Sequence, residues 1–527
     1  MNTVVTRTSR VGAKPRSGLF SVHRRSIGAI VIVSALLLVG LAGSWRAPGV
    51  TMDEGIVLEY PELILHGEVP FRNFQSSYGP GTYLPLAAAY QVLGPSVTVE
   101  RAVGVAYRLA TILAIVALLW PLGARLAVAG GSFATLAIIP VGSPQVPVAY
   151  GWSLALACLL WGLWCARAAM MNHRPRIATA LWACSGLLVG ATASARPDLG
   201  VAALLSSAVL VLTAGAIPRL AFTLGLAAGA SPLAWTLVAA GWSRFWSYGV
   251  VARIHEVPES GYPFPTGFGF LLVLSAVTFI VVVAAIHERR RLGANPVTRC
   301  WLAVTVLSVL ILPQVFQRAD SGHFAFVGPV SLGLLPWAVI RGTPSRFTSA
   351  AIPALCAIAI GLSAVASYSD KGFVVLNDGR SFAESSAGEA QQLQTVLDWL
   401  DTHVAPGRRL LVAPADLRWA FYTPTELYFL APDLMPAGFY LELGPGDDTP
   451  LFTRQLIDDL NRADVLVLDD LTVPFWRRQI WPEARADSGA PNAVVRRDFR
   501  VVLQASPYSI WLRVRHSNQP SGRTAAA

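Results

Sequence analysis

Two adjacent carboxylates, Asp53 and Glu54, stand a few residues beyond the first long apolar run of the chain. An acidic pair is unusual at the surface of a bilayer, where a protein mainly needs apolar side chains. A carboxylate in that position is able to accept a proton from a reacting hydroxyl group. The alternative is that both residues favour the first turn of the amphipathic, interfacial helix predicted over 56–65. One carboxylate can do both.

Arginines supply the matching positive charges. A guanidinium group binds phosphate oxygens through a planar fork of N–H groups, so arginines on the side of the acidic pair indicate a phosphate site. The candidates are Arg72, Arg101, Arg108, Arg196, Arg253 and Arg318. For Arg101 and Arg108, seven residues apart on one helix, the alternative is snorkelling toward lipid headgroups. For Arg196, it is neutralisation by Asp198 in a tight turn.

The segment QVFQRADSGHF follows a later apolar run and contains Gln317, Arg318, Asp320 and His323. Either Arg318 or His323 is suited to hold a phosphate, and Asp320 is suited to orient one of these two side chains. The alternative is a plain hydrated loop. A zinc site is not indicated, because His323 has no His or Cys partner nearby in the sequence.

A large polar loop, 241–266, combines aromatic and charged residues, among them Trp246, Arg253 and His255. Aromatic residues near a bilayer surface usually anchor the protein at the interface. The functional alternative is that they stack on a sugar and cover the site as a lid.

The composition places most of these residues in a membrane protein. Of the 527 residues, 54% are hydrophobic and only 14% are charged. Apolar blocks about 20 residues long predict transmembrane helices. We predict about eleven: 27–41 and those centred near residues 112, 134, 157, 186, 207, 230, 276, 307, 332 and 357. The formal charge of +10 does not indicate nucleic-acid binding, because the arginines lie mainly in short loops between apolar blocks.

The orientation follows from those basic loops. They begin at Arg167, Arg219, Arg289 and Arg341 and come at alternate turns, which predicts that they are cytoplasmic. The segment 81–93 must then not cross the membrane. As a helix it is about 20 Å long at 1.5 Å per residue, which is too short for the hydrocarbon core, so it is predicted to be re-entrant or interfacial.

This topology divides the chain into four parts. A basic cytoplasmic tail, 1–26, precedes a transmembrane region, 27–367, whose first external loop is 45–100. An extracytoplasmic α/β domain, 368–517, and a disordered tail, 518–527, complete the chain. In the α/β domain we predict helices at 389–400 and 451–460 and strands at 410–412, 465–468, 500–503 and 509–514. Their alternation predicts a partly parallel sheet.

The order of these features resembles the GT-C superfamily of glycosyltransferases. A basic tail, one span and an acidic pair are followed by an interfacial helix, by VPFRNF and by SSYGPGTYLPL. The layout is similar to that of the protein O-mannosyltransferases and the bacterial aminoarabinose and mannose transferases, over 26–367. The resemblance implies a polytopic α-helical, GT-C-like fold in the plasma membrane and polyprenyl-phosphate sugar donors. It also implies that an Asp of the first external loop, here Asp53, acts as the catalytic base or positions the acceptor.

From the resemblance we expect an inverting glycosyltransferase that acts on an external glycan, lipid or protein. Asp53 and Glu54 are the expected catalytic pair. The residues expected to bind the donor phosphate are Arg101, Arg108, Arg196, Arg318 and His323. Those expected to bind the sugar or acceptor are Arg72, Tyr78, Trp246, Arg253, His255 and Asp320. We predict no metal or other cofactor, although a divalent cation is possible if the acidic residues converge.

Two other functions stay open from the sequence alone. A flippase or transporter of lipid-linked sugars also lines cavities with arginine, but no internal repeat is evident in this chain. A non-catalytic scaffold would depend on the external domain alone. Heavy use of Arg and Ala with almost no Lys is typical of a GC-rich bacterial genome. That association suggests cell-wall or glycolipid arabinose and mannose as the sugars.

Overall fold

The computed structural model describes residues 18–139, 146–251, 268–317, 319–340, 346–368, 372–418, 423–443, 450–470 and 489–514. Within these ranges the chain forms a set of apolar helices, followed by a domain that contains a mixed β-sheet. The longer helices of the first part are α1 (Gly18–Ala42), α2 (Thr51–Leu65), α3 (Leu84–Leu93), α4 (Val97–Leu119), α5 (Ala124–Ile138), α6 (Gly151–Met171), α7 (Pro175–Ala195), α8 (Pro197–Val211), α9 (Ala216–Gly229), α10 (Ser231–Ala240), α11 (Phe268–Leu292), α12 (Pro296–Leu310), α13 (Ser321–Val339) and α14 (Arg346–Tyr368).

The apolar helices confirm a polytopic α-helical membrane protein. Six helices in the described ranges are long and apolar enough to cross a bilayer, and α9 with α10, bent by 47°, makes a seventh if the pair is one span. Four shorter apolar helices, Ile27–Ala42, Ala124–Ile138, Pro197–Val211 and Ala351–Val365, lie at the other predicted segments. Every predicted segment is therefore helical, and the count of eleven crossings stays a prediction.

Glycines allow the backbones of α7 and α9 to touch. A Cβ atom on Gly186 would lie 1.9 Å from the carbonyl oxygen of Phe222, and one on Gly225 would lie 2.0 Å from that of Ala183. Each helix repeats the glycine after four residues, which is the spacing that lets apolar helices approach closely in lipid. Close packing at these glycines thus stabilises the helix pair, because there is no hydrophobic driving force between helices in a bilayer.

The first turn of α2 carries the acidic pair, and its body is covered on all sides. Residues 54–63 are buried, with Ile56, Leu58 and Tyr60 at 1% exposure or less. The predicted interfacial helix is therefore present, but its polar face does not lie in water. Arg380 of the C-terminal domain pairs with Glu62 on that face at 2.7 Å, which explains how the acidic side of the helix is accommodated.

The C-terminal domain contains a hairpin and a five-stranded sheet. The strands are β1 (Phe373–Asn377), β2 (Arg380–Glu384), β3 (Arg409–Pro414), β4 (Met435–Pro436), β5 (Val465–Asp469), β6 (Phe499–Ala505) and β7 (Tyr508–Arg513). The sheet order is β4-β3-β5-β7-β6, with parallel pairing from β4 to β5 and antiparallel pairing from β5 to β6, as the partly parallel prediction requires. The domain's helices are α15 (Ala387–His403), α16 (Glu426–Leu430), α17 (Pro450–Arg462) and α18 (Ala490–Asp498).

Candidate active site

The two carboxylates of the acidic pair have different surroundings. Glu54 forms a fork-like ion pair with Arg101 of α4, with N–O distances of 2.7 and 3.0 Å. Their side chains are 0% and 3% exposed. The same guanidinium donates to the carbonyl oxygens of Trp45 and Ala47. Because its charge and lone pairs are already engaged in a buried pair, Glu54 anchors the first turn of α2.

Asp53 is half-buried and lies beside an aromatic hydroxyl. The Tyr150 hydroxyl is 3.3 Å from an Asp53 carboxylate oxygen and donates to it. Burial, followed by the negative charge of Asp53, raises the pKa of Tyr150 well above its usual value. Tyr150 therefore keeps its proton and acts as the donor in this contact.

Phe326 of α13 connects the surroundings of Asp53 to two other predicted site segments. Its ring centroid lies 5.4 Å from that of Tyr150, 6.0 Å from that of Trp152 and 6.1 Å from that of His323. Trp152 also donates its indole N–H to the Phe326 carbonyl oxygen at 3.0 Å. We call these three rings, Tyr150, Trp152 and Phe326, the aromatic wall.

Arg196 packs against the same wall. Its guanidinium carbon lies 5.1 Å from the ring centroid of Trp152 and 5.2 Å from that of Tyr78, so the cation sits between two aromatic faces. Two N–H groups bind Asp198 at 2.9 and 2.7 Å. Gln314 donates to the same carboxylate at 3.1 Å. The Arg196–Asp198 pairing that was the alternative from the sequence is present, and it lies within the site.

Asp320 and His323 form a second held pair at the start of α13. Asp320 caps the helix by accepting from the His323 backbone N–H at 2.8 Å, and it contacts the imidazole Nδ1 at 3.0 Å. The carboxylate therefore orients the ring. In the part of the chain that the structure describes, no three His, Cys, Asp or Glu side chains are grouped so as to hold a metal ion.

The contacts of Arg108 differ from those expected of a phosphate-binding side chain. Its guanidinium donates to the carbonyl oxygens of Gly104, Val146 and Val148 at 2.8 to 3.3 Å. The side chain is 6% exposed. Arg101 and Arg108 are thus both buried in contacts with the protein itself.

The structure therefore brings together one part of the predicted site. The predicted residues beside the aromatic wall are Asp53, Tyr78, Arg196, Asp320 and His323. No described contact brings Arg72 or Trp246 there. Arg72 is exposed, with its carbonyl bound by Arg244, and Trp246 is 47% exposed and stacks on Trp242. Arg253, His255 and Arg318 lie outside the described residues.

Sequence reasoning missed the wall itself. Tyr150 and Trp152 flank Gly151 at the start of α6, directly after a loop predicted to be external. An aromatic pair around a glycine at the mouth of a span was a usable signal. Phe326 follows His323 by three residues in one helix, so it shares a face with a residue that was singled out.

The comparisons with known proteins bear on the fold. No family model and no curated protein sequence matches the chain. The crystal structure of ArnT from Cupriavidus metallidurans in the apo state superposes with a TM-score of 0.53 at 14% identity, covering 93% of this chain and 98% of ArnT. The chain shares the fold of ArnT. The resemblance seen in the sequence is thereby confirmed at the level of the fold.

Two further structures complete the comparison. ArnT from the same organism bound to undecaprenyl phosphate gives a TM-score of 0.52 at 13% identity, with 94% of this chain and 100% of ArnT covered. The Archaeoglobus fulgidus oligosaccharyltransferase in complex with Zn and sulfate gives a TM-score of 0.45 at 12% identity, with 84% and 68% covered. At such low identity the likeness to ArnT concerns chain architecture, and function has to be argued from the residues.

Proposed function

We propose that this protein is an inverting glycosyltransferase that moves a sugar from a polyprenyl-phosphate donor to an acceptor on the outer face of the plasma membrane. The observation that carries the proposal is the convergence of one accessible carboxylate, Asp53, with Arg196 and His323 around the aromatic wall. The shared fold with ArnT, which has been crystallised with undecaprenyl phosphate, supports the choice of donor.

The proposed reaction is a single displacement at the anomeric carbon. The acceptor hydroxyl oxygen bonds to that carbon, while the bond from carbon to phosphate oxygen breaks and its electrons leave with the polyprenyl phosphate. The hydroxyl proton passes to Asp53. One displacement inverts the anomeric configuration, in contrast to the two-carboxylate route of retaining enzymes.

The leaving phosphate needs positive charge close to the developing anion. We assign that task to Arg196 and His323, which are held in place by Asp198 and Asp320 respectively. Arg318, five residues before His323 in the sequence, is proposed as a third cation. Arg101 and Arg108 are left out of this set, because they are only 2% and 6% exposed and their N–H groups bind Glu54 and backbone carbonyls, whereas 19% of the Arg196 side chain is exposed.

The proposed contacts to the acceptor and the sugar are the Tyr78 ring, which lies beside Arg196, and the Asp320 carboxylate. Arg253 and His255 of the loop 241–266 are proposed as further contacts. The proposed sugars are a hexose such as mannose or a pentose such as arabinose, placed on a cell-wall glycan, glycolipid or protein. The proposed topology puts the N-terminus in the cytoplasm and the C-terminal domain outside, so that Asp53 and Arg196 both face the outer surface.

The test is label transfer by purified protein in lipid nanodiscs. Radiolabelled mannose and arabinose on polyprenyl phosphate are supplied, and release of label into water or onto membrane glycolipid is measured for the wild type and for Asp53→Asn. We expect one donor to be consumed by the wild type and Asp53→Asn to be slower by about 10³-fold or more. Asp433→Asn, the same change at an exposed residue of the C-terminal domain, is the matched control.

Two results would count against the proposal. The first is wild-type turnover by folded Asp53→Asn, which would remove the base from the mechanism. The second is passage of the donor across the membrane of sealed vesicles without any sugar being released or transferred. That second outcome would favour a flippase of lipid-linked sugars.

A further inference from the structure

Residues 146–149, which lead into Tyr150, lie along α4 and are bound by its side chains. Arg108 donates to the carbonyl oxygens of Val148, at 2.8 Å, and Val146, at 3.3 Å. Glu100 accepts from the backbone N–H of Ala149. Three backbone polar groups of this segment, which has neither helix nor strand structure, are thus bound by side chains of one helix, and these bonds fix its course.

Gly104 lies between these two side chains on α4. A Cβ atom at this position would be 1.8 Å from the carbonyl oxygen of Pro147, so the segment touches the helix backbone. Glu100, Gly104 and Arg108 are spaced by four residues and therefore share one face of α4. We call residues 146–149 the α4-bound segment.

The same helix also holds the other side of the site. Arg101 of α4 pairs with Glu54, which fixes the turn of α2 that contains Asp53. Helix α4 therefore positions Asp53 by binding the adjacent residue, Glu54. It also positions the Tyr150 hydroxyl, which donates to Asp53, by binding the α4-bound segment.

We propose, on the basis of the proposed function, that Tyr150 is a positioning residue for Asp53, and that α4 sets the geometry of the pair through the segment it binds. The hydroxyl orients the carboxylate toward the acceptor. Tyr150 thus positions the base, while Arg101 holds the neighbouring anchor, Glu54.

Tyr150→Phe tests this role, because it removes the hydroxyl and keeps the ring that packs on Phe326. We expect kcat for transfer of the consumed polyprenyl-phosphate sugar to fall about tenfold, with KM within twofold of the wild type. Loss of a donor to a carboxylate raises its pKa, so the acidic limb of the pH–rate profile should move up by about one pH unit. Tyr107→Phe on α4 is the matched control, since the Tyr107 hydroxyl has no hydrogen-bond partner in the structure.

Gly104→Ala tests the role of α4 from a distance. Alanine favours a helix, but its methyl group must displace the α4-bound segment and with it Tyr150. We expect lower kcat and the same upward movement of the acidic limb. Gly28→Ala is the control, because a Cβ at Gly28 has no atom within 4 Å.

The outcomes separate this inference from the proposed function. If Asp53→Asn is inactive but Tyr150→Phe behaves like Tyr107→Phe in rate and pH profile, the positioning role is overturned and the base remains. A double-mutant cycle on thermal unfolding, combining Tyr150→Phe with Asp53→Asn, needs no turnover. Non-additive Tm shifts support the contact, and additive shifts overturn it.

Discussion

Buried carboxylates occur in two neighbouring regions, and the protein treats them in opposite ways. In the first turn of α2, Glu54 is 0% exposed and receives a complete set of donors from Arg101 and the Val50 backbone. In the C-terminal domain, Glu426 is also 0% exposed, but no other residue that the structure describes forms a hydrogen bond with its carboxylate. Burial raises the pKa of Glu426 well above its usual value and that of Glu384 to about 7.

The difference shows where the protein maintains charge. Glu54, beside Asp53, is paired with a buried guanidinium, whereas burial and then the negative charge of Glu384 raise the pKa of Glu426 and favour its neutral form. The two regions touch, because a Cβ atom on Gly55 would lie 2.4 Å from the Glu426 backbone nitrogen. A neutral Glu426 therefore avoids a further negative charge against the turn that carries the base.

The largest effect is expected at the cation on the aromatic wall. Arg196→Ala should lower kcat/KM for transfer by about 100-fold or more, because a charge-assisted donor to the leaving phosphate is lost. Arg196→Lys should recover part of the rate as a point charge. Arg454→Ala, in the exposed part of α17, serves as the control, and equal rates for the two alanine variants would remove Arg196 from the mechanism.

The next largest effect is expected on the stability of the fold, when the ion pair between Glu54 of α2 and Arg101 of α4 is broken. Arg101→Met leaves the Glu54 charge buried without its partner, which should destabilise the fold by about 3–5 kcal/mol. Thermal unfolding in detergent measures this as a lower Tm. The double variant Arg101→Met, Glu54→Gln should recover much of the loss. A single variant that melts with the wild type would show that Glu54 is not held as an anion.

The neutral acids of the C-terminal domain should give a smaller, pH-dependent effect. Burial raises the pKa of Glu384 from 4.5 to about 7, so the folded form holds a proton that the unfolded chain releases above pH 4.5. Its favourable contribution is complete below pH 4.5 and is lost as the pH rises to about 7, by up to about 3 kcal/mol. Glu384→Gln should flatten the dependence of Tm on pH over that window. An unchanged slope would contradict a neutral Glu384.

The smallest effect is expected at Trp246. Its ring stacks on Trp242 and is 47% exposed, away from the described contacts of the aromatic wall. Trp246→Ala should change transfer less than twofold, as expected of an interfacial anchor. Trp152→Ala is the comparison, and it should lower transfer at least tenfold because Arg196 loses one of its flanking rings. A comparable loss in Trp246→Ala would extend the site to the loop after α10.

The parts of the fold that could be predicted are those encoded locally. The positions of the apolar segments, the helix after Asp53 and six elements of the C-terminal domain follow from hydrophobic runs and alternation. The β1–β2 hairpin, the short strand β4 and the helices α16 and α18 were not predicted. The cover over α2 was not predictable, because it depends on Arg380 reaching Glu62 from 318 residues away. The mutual approach of α7 and α9 likewise depends on which glycines face each other in space.

In the site, residue types were easier to predict than partners. Asp53, Arg196 and His323 were identified because charged groups near apolar runs are costly. That Arg101 pairs with Glu54, and that Tyr150 donates to Asp53 across 97 positions of sequence, follows only from the tertiary fold. The sequence establishes that an arginine carries a positive charge. Only the tertiary structure establishes whether that charge binds a carboxylate, a carbonyl oxygen or a ligand.

The most direct test of the central claim separates binding from chemistry at Asp53. Donor binding and sugar transfer are measured on the same nanodisc preparation of Asp53→Asn, with the polyprenyl-phosphate sugar that the wild type consumes. We expect a donor Kd within a few-fold of the wild type, because Arg196 and His323 remain, and no detectable transfer. Transfer at the wild-type rate by this variant would contradict the role of Asp53 as the base.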